Sequence, residues 1–315
     1  MSEPQLRAAE SSLGTAPPPD SSPTCVRHPD EGRWLAARRD VIGSSDGPEI
    51  LGIGYRGVWS VYADKASDLP RSEPTWLMRR GKALEYALAE EFERQTGLST
   101  HDPGDYALYR SAIEPWIACT PDRFVERGRA ILEIKTVNWF QRHRWGDEPS
   151  EYALIQANHQ LLVLGLNEWH IIAEIGADDP KCYRGERNER FLAAYVETLR
   201  EFRQRILDRR PPEADGSEAT REALARLYPQ DKGLTISLPE RFIALDERRQ
   251  SLSADIKAMG EEKDLIDNQL RAEIGEASVG VLPNGVEYSW RQQERHDPPR
   301  EARVSKFRVL RRKGG

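Results

Sequence analysis

The segment Ala130–Val137 constrains the fold of this chain more than any other stretch. Its sequence, AILEIKTV, alternates as a β-strand does. The alternation sorts the middle residues onto two faces, with Ile131, Glu133 and Lys135 on one and Leu132, Ile134 and Thr136 on the other. A carboxylate and an ammonium group two residues apart in an otherwise apolar strand cost free energy unless something compensates their charge. The strand therefore predicts a partner for this charged pair.

A second β-rich segment, Ile117–Val125, precedes this strand across the turn Glu126–Arg129. Gly128 can supply the positive φ that a hairpin turn requires. Asp122 lies near the end of the first segment and can reach the charged pair across the hairpin. Two carboxylates and a lysine suit a hard divalent cation that activates water against a phosphodiester, while the lysine steadies the developing negative charge. The alternative is a solvated surface pair with no chemistry.

Composition indicates a soluble protein with one full-sized core and an appendage. The chain has 315 residues, 31% of them charged, and a formal net charge of −6. This charge argues against a generic DNA-coating protein, but not against an enzyme with one basic channel. We expect no membrane span and no export signal, because no apolar run approaches about 18 residues. Three distant cysteines, Cys25, Cys119 and Cys182, predict neither disulfides nor a metal cluster, and a cytoplasmic location is the default.

A candidate anion site lies in the first part of the folded chain. A short helix over 34–39 is followed by a tight turn that opens a second helix, with Ser45 or Asp46 as its N-cap. Free amide groups at a helix start bind anions, and Arg38 would complete a phosphate pocket. Plain capping by Ser45 beside a surface arginine is the alternative.

A long helix is predicted from Thr75 to Gly97, which would end it as the C′ residue. Glu85 shares one stripe of this helix with Leu88, Ala89 and Phe92. A carboxylate in that stripe faces other protein groups and not water. It could pair with an arginine or serve as a metal ligand.

Two further segments bring polar side chains after Lys135. Aromatic and basic residues are interleaved in the first, namely Trp139, Arg142, His143, Arg144 and Trp145, and such a pattern either grips nucleic acid or packs with a solvated basic edge. The second is a helix over 149–166 that aligns Tyr152, Gln156 and Gln160. His159 lies on its flank, and a surface position is expected for it.

The chain divides into five segments. Residues 1–30 are expected to form a disordered leader, with the folded part starting near Trp34. A core over 31–212 is expected to contain a central strand over 168–175 and an amphipathic helix over 190–209.

A linker at 213–238 then leads to a long helix or helical hairpin at 239–275, bent near Gly260. The tail, 276–315, contains a hairpin turn at Asn284-Gly285 and a further strand over 303–311.

Ordered motifs resemble one nuclease family. The pattern Pro121-Asp122…Glu133-Ile134-Lys135 resembles the PD-(D/E)xK nuclease superfamily. The opening pattern Trp-x3-Arg-x6-Ser, here Trp34, Arg38 and Ser45, resembles the lambda-exonuclease/YqaJ recombinase family. That family's turn IGxSDxxxILG is present at 42–52, its Gly-x3-Glu helix at Gly81 and Glu85, and its Gln-x3-Gln helix at Gln156 and Gln160.

The resemblance implies a restriction-endonuclease-like α/β core, a central mixed β-sheet flanked by helices, with a C-terminal extension of helix and β-hairpin. It implies Mg²⁺ or Mn²⁺ bound by Glu85, Asp122, Glu133 and the carbonyl of Ile134. Lys135 and Gln156 would position or deprotonate the attacking water. Arg38, Ser45 and Thr120 would hold DNA phosphate, the first two at the 5′ end.

The implied activity is a 5′-to-3′ exonuclease on linear double-stranded DNA that leaves 3′ single strands for a strand-annealing recombinase. Implied partners are duplex ends, that recombinase, and further copies of the chain in a ring-shaped trimer or tetramer, typically in phage or mobile elements. Alternatives are a RecB-like nuclease, disfavoured because its four-cysteine iron–sulfur cluster is missing, a non-catalytic DNA-end binder with the same fold, and a coiled-coil adaptor.

Overall fold

The computed structural model describes residues 22–67, 75–294, 310 and 312. Within these residues no helix is both long enough and apolar enough to cross a membrane. The chain separates into two compact units, Met1–Pro229 and Gln230–Gly315, each of which is described by itself.

The elements of the first unit follow one another in mixed α/β order. Its strands are β1 (Thr24–Arg27), β2 (Ile42–Gly43), β3 (Thr100–His101), β4 (Ala107–Arg110), β5 (Ile117–Cys119), β6 (Arg123–Val125), β7 (Ala130–Val137), β8 (Glu168–Ile175) and β9 (Lys181–Glu186). Its helices are α1 (Glu31–Arg39), α2 (Gly47–Ile50), α3 (Gly57–Ala66), α4 (Trp76–Thr96), α5 (Glu151–Leu164), α6 (Glu189–Leu207) and α7 (Glu218–Leu227).

Five strands form the main sheet, in the order β3-β6-β7-β8-β9. The hairpin partner β6 runs antiparallel to β7, whereas β8 runs parallel to β7 along its whole length. Strand β9, which sequence analysis missed, closes the edge antiparallel to β8. The sheet is therefore mixed, as predicted.

Helices cover both faces of this sheet. On one face Ile131 packs in a cluster with Leu161 of α5, and on the other Leu132 packs with Leu88 and Phe92 of α4. The predicted alternation of β7 and the predicted apolar stripe of α4 are both confirmed. The α/β class with a central mixed sheet flanked by helices, inferred as restriction-endonuclease-like, is the architecture observed.

The segment Ile117–Val125 is not one strand, as predicted, but two. β5 belongs to a separate four-stranded sheet, in the order β1-β4-β5-β2, while β6 pairs with β7. The chain changes sheets at Thr120-Pro121-Asp122, where proline lacks the amide that a ladder needs. This change of sheet frees Asp122 from strand pairing.

Regular structure begins at Thr24, inside the segment that was predicted to be a disordered leader. Residues Thr24–Arg27 pair with β4, and Asp30 caps α1 by accepting a hydrogen bond from the amide of Arg33 at 2.8 Å. The expectation of disorder over 1–30 is thus wrong from Thr24 onward, and residues 1–21 lie outside the description. Period-two alternation is too short here to reveal the strand, because β1 has four residues.

The first unit also ends later than predicted. Helix α7 lies within the expected linker, yet its Thr220 and Ala223 are each only 1% exposed and its Arg226 forms an ion pair with Asp64 of α3. The indole N–H of Trp59 donates to the carbonyl of Glu213 at 3.0 Å. Residues 213–227 are therefore part of the core and not a linker.

The second unit contains one long helix, α8 (Arg241–Ile274), and a hairpin of β10 (Val279–Val281) and β11 (Glu287–Ser289). The helix runs through Gly260 without interruption, so the helical-hairpin alternative is wrong. Gly285 has a φ of 84° in the predicted Asn284-Gly285 turn. The strand predicted over 303–311 falls outside the described residues, apart from position 310.

Candidate active site

The site is built where the β6–β7 hairpin brings Asp122 to the level of Glu133. Arg123 lies opposite Leu132 in the ladder, so the preceding residue reaches the next position along β7. One carboxylate oxygen of Asp122 accepts the backbone N–H of Ile134 at 2.8 Å. The ammonium group of Lys135 donates to Glu133. The structure thus brings together the three side chains of the predicted motif.

Burial and charge perturb this cluster strongly. Burial raises the pKa of Asp122 well above its usual range, and the negative charges of Glu133 and Glu85 raise it further against the opposing effect of Lys135. Burial alone would lower the pKa of Lys135, but Glu133 and Asp122 outweigh it and the pKa is raised. Lys135 therefore stays cationic at neutral pH.

Glu85 approaches the cluster from α4. Its carboxylate accepts a hydrogen bond from Lys82 at 2.7 Å and is 20% exposed. One turn earlier, a Cβ on Gly81 would lie 3.2 Å from the hydroxyl of Thr136 in β7. A glycine at this position lets α4 lie close to the strand, which is a physical reason for the Gly-x3-Glu spacing.

Oxygen ligands of this kind fit a hard divalent cation. In the structure one oxygen of Asp122 accepts the amide of Ile134 and one of Glu85 accepts Lys82, and across residues 22–67 and 75–294 no three acidic, histidine or cysteine side chains form a ready-made metal cage. A cation would relieve the repulsion that raises the pKa of Asp122. The donor set and its charge therefore suit Mg²⁺.

Helix α5 contributes a different glutamine from the one predicted to act. The amide of Gln160 donates to the second carboxylate oxygen of Glu133. Gln156 is buried, 5% exposed, and its carbonyl oxygen has no hydrogen-bond partner among the described residues. The Gln-x3-Gln spacing pointed to both residues, but it could not tell which of them reaches Glu133.

His159 is not at the surface, as expected, but fully buried. Its Nε2 lies 3.0 Å from the carbonyl of Ala118, so this nitrogen carries the proton and donates. Its Nδ1 then accepts the hydroxyl of Tyr195 at 2.8 Å. Burial lowers the pKa of His159 to about 4, only partly opposed by the Ala118 hydrogen bond. The residue ties α5 to β5 and α6, and its role is structural.

The predicted anion-binding pair is in contact. The guanidinium of Arg38 donates to the hydroxyl of Ser45 at 3.2 Å and lies 4.6 Å from the ring centroid of Trp34. The backbone carbonyl of Arg38 is held by Lys65 at 2.6 Å. Thr120, the third predicted phosphate contact, is half-buried in the β5–β6 connection, two residues before Asp122.

Asp46 occupies the predicted N-cap position of α2 but does not cap it. Its carboxylate accepts the amide of Gly43 at 2.9 Å and forms an ion pair with Lys65 at 2.8 Å. Burial would raise the pKa of Asp46, yet Lys65 and Arg56 outweigh it and hold the pKa far below its usual range. Asp46 thereby anchors the turn that carries Ser45.

Sequence analysis missed Glu49. Its side chain is 1% exposed and accepts the backbone amides of Tyr55, Arg56 and Gly57 at 3.2, 2.8 and 2.8 Å. A Cβ on Gly54 would lie 2.1 Å from this carboxylate, so only glycine fits. In the sequence Glu49 looks like an ordinary first-turn acidic residue, and nothing local signals that a loop wraps around it.

That loop shapes a cleft of about 760 Å³ in front of Lys135. The ring of Tyr55 packs 5.3 Å from that of Tyr152, which lies 6.0 Å below the ammonium of Lys135. Phe140, 80% exposed, also lines the cleft, and the guanidinium of Arg144 lies 5.1 Å from the Tyr55 ring. The interleaved aromatic and basic segment therefore borders the Asp122–Glu133–Lys135 cluster.

Comparisons with known proteins agree with these motifs. Residues 33–167 match the family model of the YqaJ-like viral recombinase domain. Protein YqaJ of Bacillus subtilis (strain 168) is 28% identical over 266 residues, which are 80% of this chain and 80% of that protein.

Two solved exonuclease structures are more distant. The alkaline exonuclease LHK-Exo of Laribacter hongkongensis is 17% identical. The match covers 62% of this chain and 99% of the LHK-Exo chain, with a TM-score of 0.47. A phage-related exonuclease from Haemophilus somnus 129PT is 11% identical. That match covers 60% of this chain and 95% of the other, with a TM-score of 0.38.

The mixed sheet flanked by helices makes this an α/β protein, and its Asp122–Glu133–Lys135 cluster resembles the PD-(D/E)xK motif. Residues 33–167 of this chain are similar to the YqaJ-like viral recombinase domain, and protein YqaJ of Bacillus subtilis shares that similarity over most of its length.

Proposed function

We propose that this protein is a divalent-metal-dependent deoxyribonuclease that digests the 5′ strand of linear duplex DNA from its end. The observation that supports this most directly is Asp122, half-buried beside Glu133 and the cationic Lys135 at the edge of an open, aromatic-lined cleft. The ion pair of Glu133 and Lys135 has no structural need of a second carboxylate, Asp122, whose charge is destabilised. A hydrolytic site that takes up a cation has that need.

The ligands of Mg²⁺ or Mn²⁺ in this proposal are Glu85, Asp122, Glu133 and the carbonyl of Ile134. When bound, the ion lowers the pKa of water and neutralises charge on the phosphodiester. Lys135 donates hydrogen bonds to the attacking water or to the phosphate oxygens, where negative charge develops. Gln160 fixes the orientation of Glu133, and Gln156 lies one helical turn away on the same face.

Polarity would come from Arg38 and Ser45, which bind the 5′-terminal phosphate. Their contact, and the stacking of Arg38 on Trp34, pre-orients two donors for a phosphate. Thr120 would contact a phosphate nearer the hydrolytic cluster. The fixed spacing between these groups selects the end that enters first.

In its biological setting the enzyme would leave 3′ single strands for a strand-annealing recombinase of phage or a mobile element. Ring-shaped trimers or tetramers would keep it on the DNA. Both statements extend the similarity of residues 33–167 to the YqaJ-like viral recombinase domain.

Digestion of duplexes labelled at either end tests the proposal. Four substrates, labelled at the 5′ or 3′ end and with or without a 5′ phosphate, are compared in Mg²⁺ and in chelator. We expect 5′-strand loss only with the metal, faster on phosphorylated ends. Retention of both strands with tight end binding would identify a non-catalytic end binder, and loss from the 3′ strand would refute the proposed polarity.

A further inference from the structure

Helix α8 of the second unit carries an uncovered apolar seam. Leu245, Leu252, Met259 and Ile266 recur every seven residues. Their side chains are 58%, 43%, 60% and 49% exposed, although each is large and apolar. Within the described residues, therefore, most of this surface faces solvent.

A second series fills the positions between them. Phe242, Ile256 and Leu270 precede or follow the first series by three or four residues, which completes the a and d positions of a heptad pattern. On a straight helix a seven-residue repeat drifts by about 20° per heptad, so the seam stays continuous only when the helix supercoils around another helix. The seam therefore fits a helical partner along most of α8, which is about 50 Å long.

The remaining a positions, Arg249 and Lys263, decide the orientation of that partner. In a parallel pair of two α8 helices each cation would face its own copy. In an antiparallel pair centred between Ile256 and Met259, Arg249 lies opposite Ile266 of the second copy, near its Asp267. Lys263 then lies opposite Leu252 of the second copy, near its Asp255. At the e and g positions beside the seam, acidic residues face like charges in both orientations. The two orientations therefore differ mainly in where the core cations Arg249 and Lys263 lie.

The two halves of α8 also carry opposite net charge. Residues 241–257 contain four basic and three acidic residues, a net charge of +1. Residues 258–274 contain two basic and five acidic residues, a net charge of −3. An antiparallel pair places each half against its opposite, whereas a parallel pair places the two acidic halves together. The net charges of the two halves therefore favour the antiparallel orientation, which is a two-fold interface.

We propose that α8 pairs with α8 of a second copy of this chain as an antiparallel coiled coil. The inference concerns assembly and does not depend on the proposed nuclease activity. Residues 295–309, 311 and 313–315 contribute few apolar side chains and cannot supply a matching seam.

Single cysteines at opposite ends of the helix test the orientation directly. Leu245→Cys and Leu270→Cys are placed in a full-length Cys25→Ser, Cys182→Ser background, because those two cysteines are accessible while Cys119 is buried. Mild oxidation of either variant alone should give no cross-link, and co-expression of the two with different tags should give a mixed disulfide. Self-cross-linking of Leu245→Cys would show a parallel pair, and no cross-link in any mixture would refute the pairing.

A neighbouring residue provides a matched control for the interface itself. Ile266→Asp introduces a charge in the seam twice per dimer and should weaken association about 100-fold or more in sedimentation equilibrium. Leu265→Asp introduces the same charge one residue away, off the seam, and should change it little. Equal helical circular dichroism in both variants shows that α8 is intact. Equal association of both variants and the parent would overturn the proposal.

Discussion

Lys135 owes its charge to the two carboxylates beside it. In an uncharged buried environment its pKa would fall, because burial disfavours the charged form of a lysine. Glu133 in turn is held by Lys135 and Gln160, so its two oxygens are oriented by opposite sides of the cluster. Each side chain is therefore maintained in its state by the others, and single substitutions should act beyond the residue that they remove.

Lys135→Ala should abolish cleavage while leaving DNA binding largely intact. Loss of a donor at the developing charge costs a factor on the order of 10²–10³ in rate, and the removed cation also frees Glu133. Single-turnover digestion and a binding titration in chelator measure the two effects. Lys181→Ala removes the same charge at an exposed position of β9 and serves as control. Near-parental cleavage by Lys135→Ala would refute the catalytic assignment.

His159 should make the fold sensitive to mild acid. Its pKa is about 4 in the folded chain and about 6.5 when unfolded, so the unfolded state binds the extra proton first as pH falls. The contribution of neutral His159 to the free energy of unfolding is complete above pH 6.5. It is lost as the pH falls from 6.5 to 4, by about 3 kcal/mol in total. Urea unfolding at intervals of pH measures this slope. In His159→Gln the slope should be smaller by about one proton, and an unchanged slope would contradict the assignment.

At the scale of elements, the loop between α2 and α3 is folded around one carboxylate. Glu49 accepts three consecutive amides that would otherwise be unpaired, and through them it places Tyr55 over the cleft. Arg56 leaves the same loop to form ion pairs with Asp46 and Asp64. The turn that carries Ser45 and Asp46 and the cleft are thus joined by a few polar contacts.

Glu49→Ala should therefore lower the free energy of unfolding by about 3 kcal/mol, because it leaves the backbone amides of Tyr55, Arg56 and Gly57 without their acceptor. Denaturant melts of the purified variant measure the loss. Glu201→Ala, at an exposed position on α6, should stay within about 0.5 kcal/mol of the parent. A Glu49→Ala variant as stable as that control would show that the loop is held by other contacts.

At the scale of the whole molecule, the boundary of the first unit lies after α7 and not before it. A chain that ends at Pro229 should keep the fold and the Asp122–Glu133–Lys135 cluster. A chain that ends at Arg210 loses α7, which covers α3, and leaves the buried indole N–H of Trp59 without the Glu213 carbonyl. We expect the shorter chain to be about 3 kcal/mol less stable, which corresponds to a midpoint roughly 10 °C lower.

Calorimetry of the two truncated chains measures the difference, and the full-length protein is the reference. Equal midpoints for the Arg210 and Pro229 chains would mean that α7 contributes nothing to the core. Loss of the Pro229 chain to aggregation would place the boundary elsewhere.

The sequence by itself determined the elements whose pattern is local. The alternation of β7, the apolar stripe and Gly97 end of α4, the bounds of β8 and the Asn284-Gly285 turn all follow from periodicity or from backbone preferences within a few residues. The same local reading found the Asp122, Glu133 and Lys135 motif, because charged residues in an apolar strand are unusual wherever the strand lies.

Only the tertiary structure decided which neighbours those residues have. Short strands such as β1 and β3 form because a partner edge is available, and α7 belongs to the core because α3 offers it an apolar face. The choice of Gln160 over Gln156 for Glu133, the burial of His159, and the three amides on Glu49 depend on contacts between residues distant in sequence. Such contacts are set by packing of whole elements, and local preferences carry no record of them.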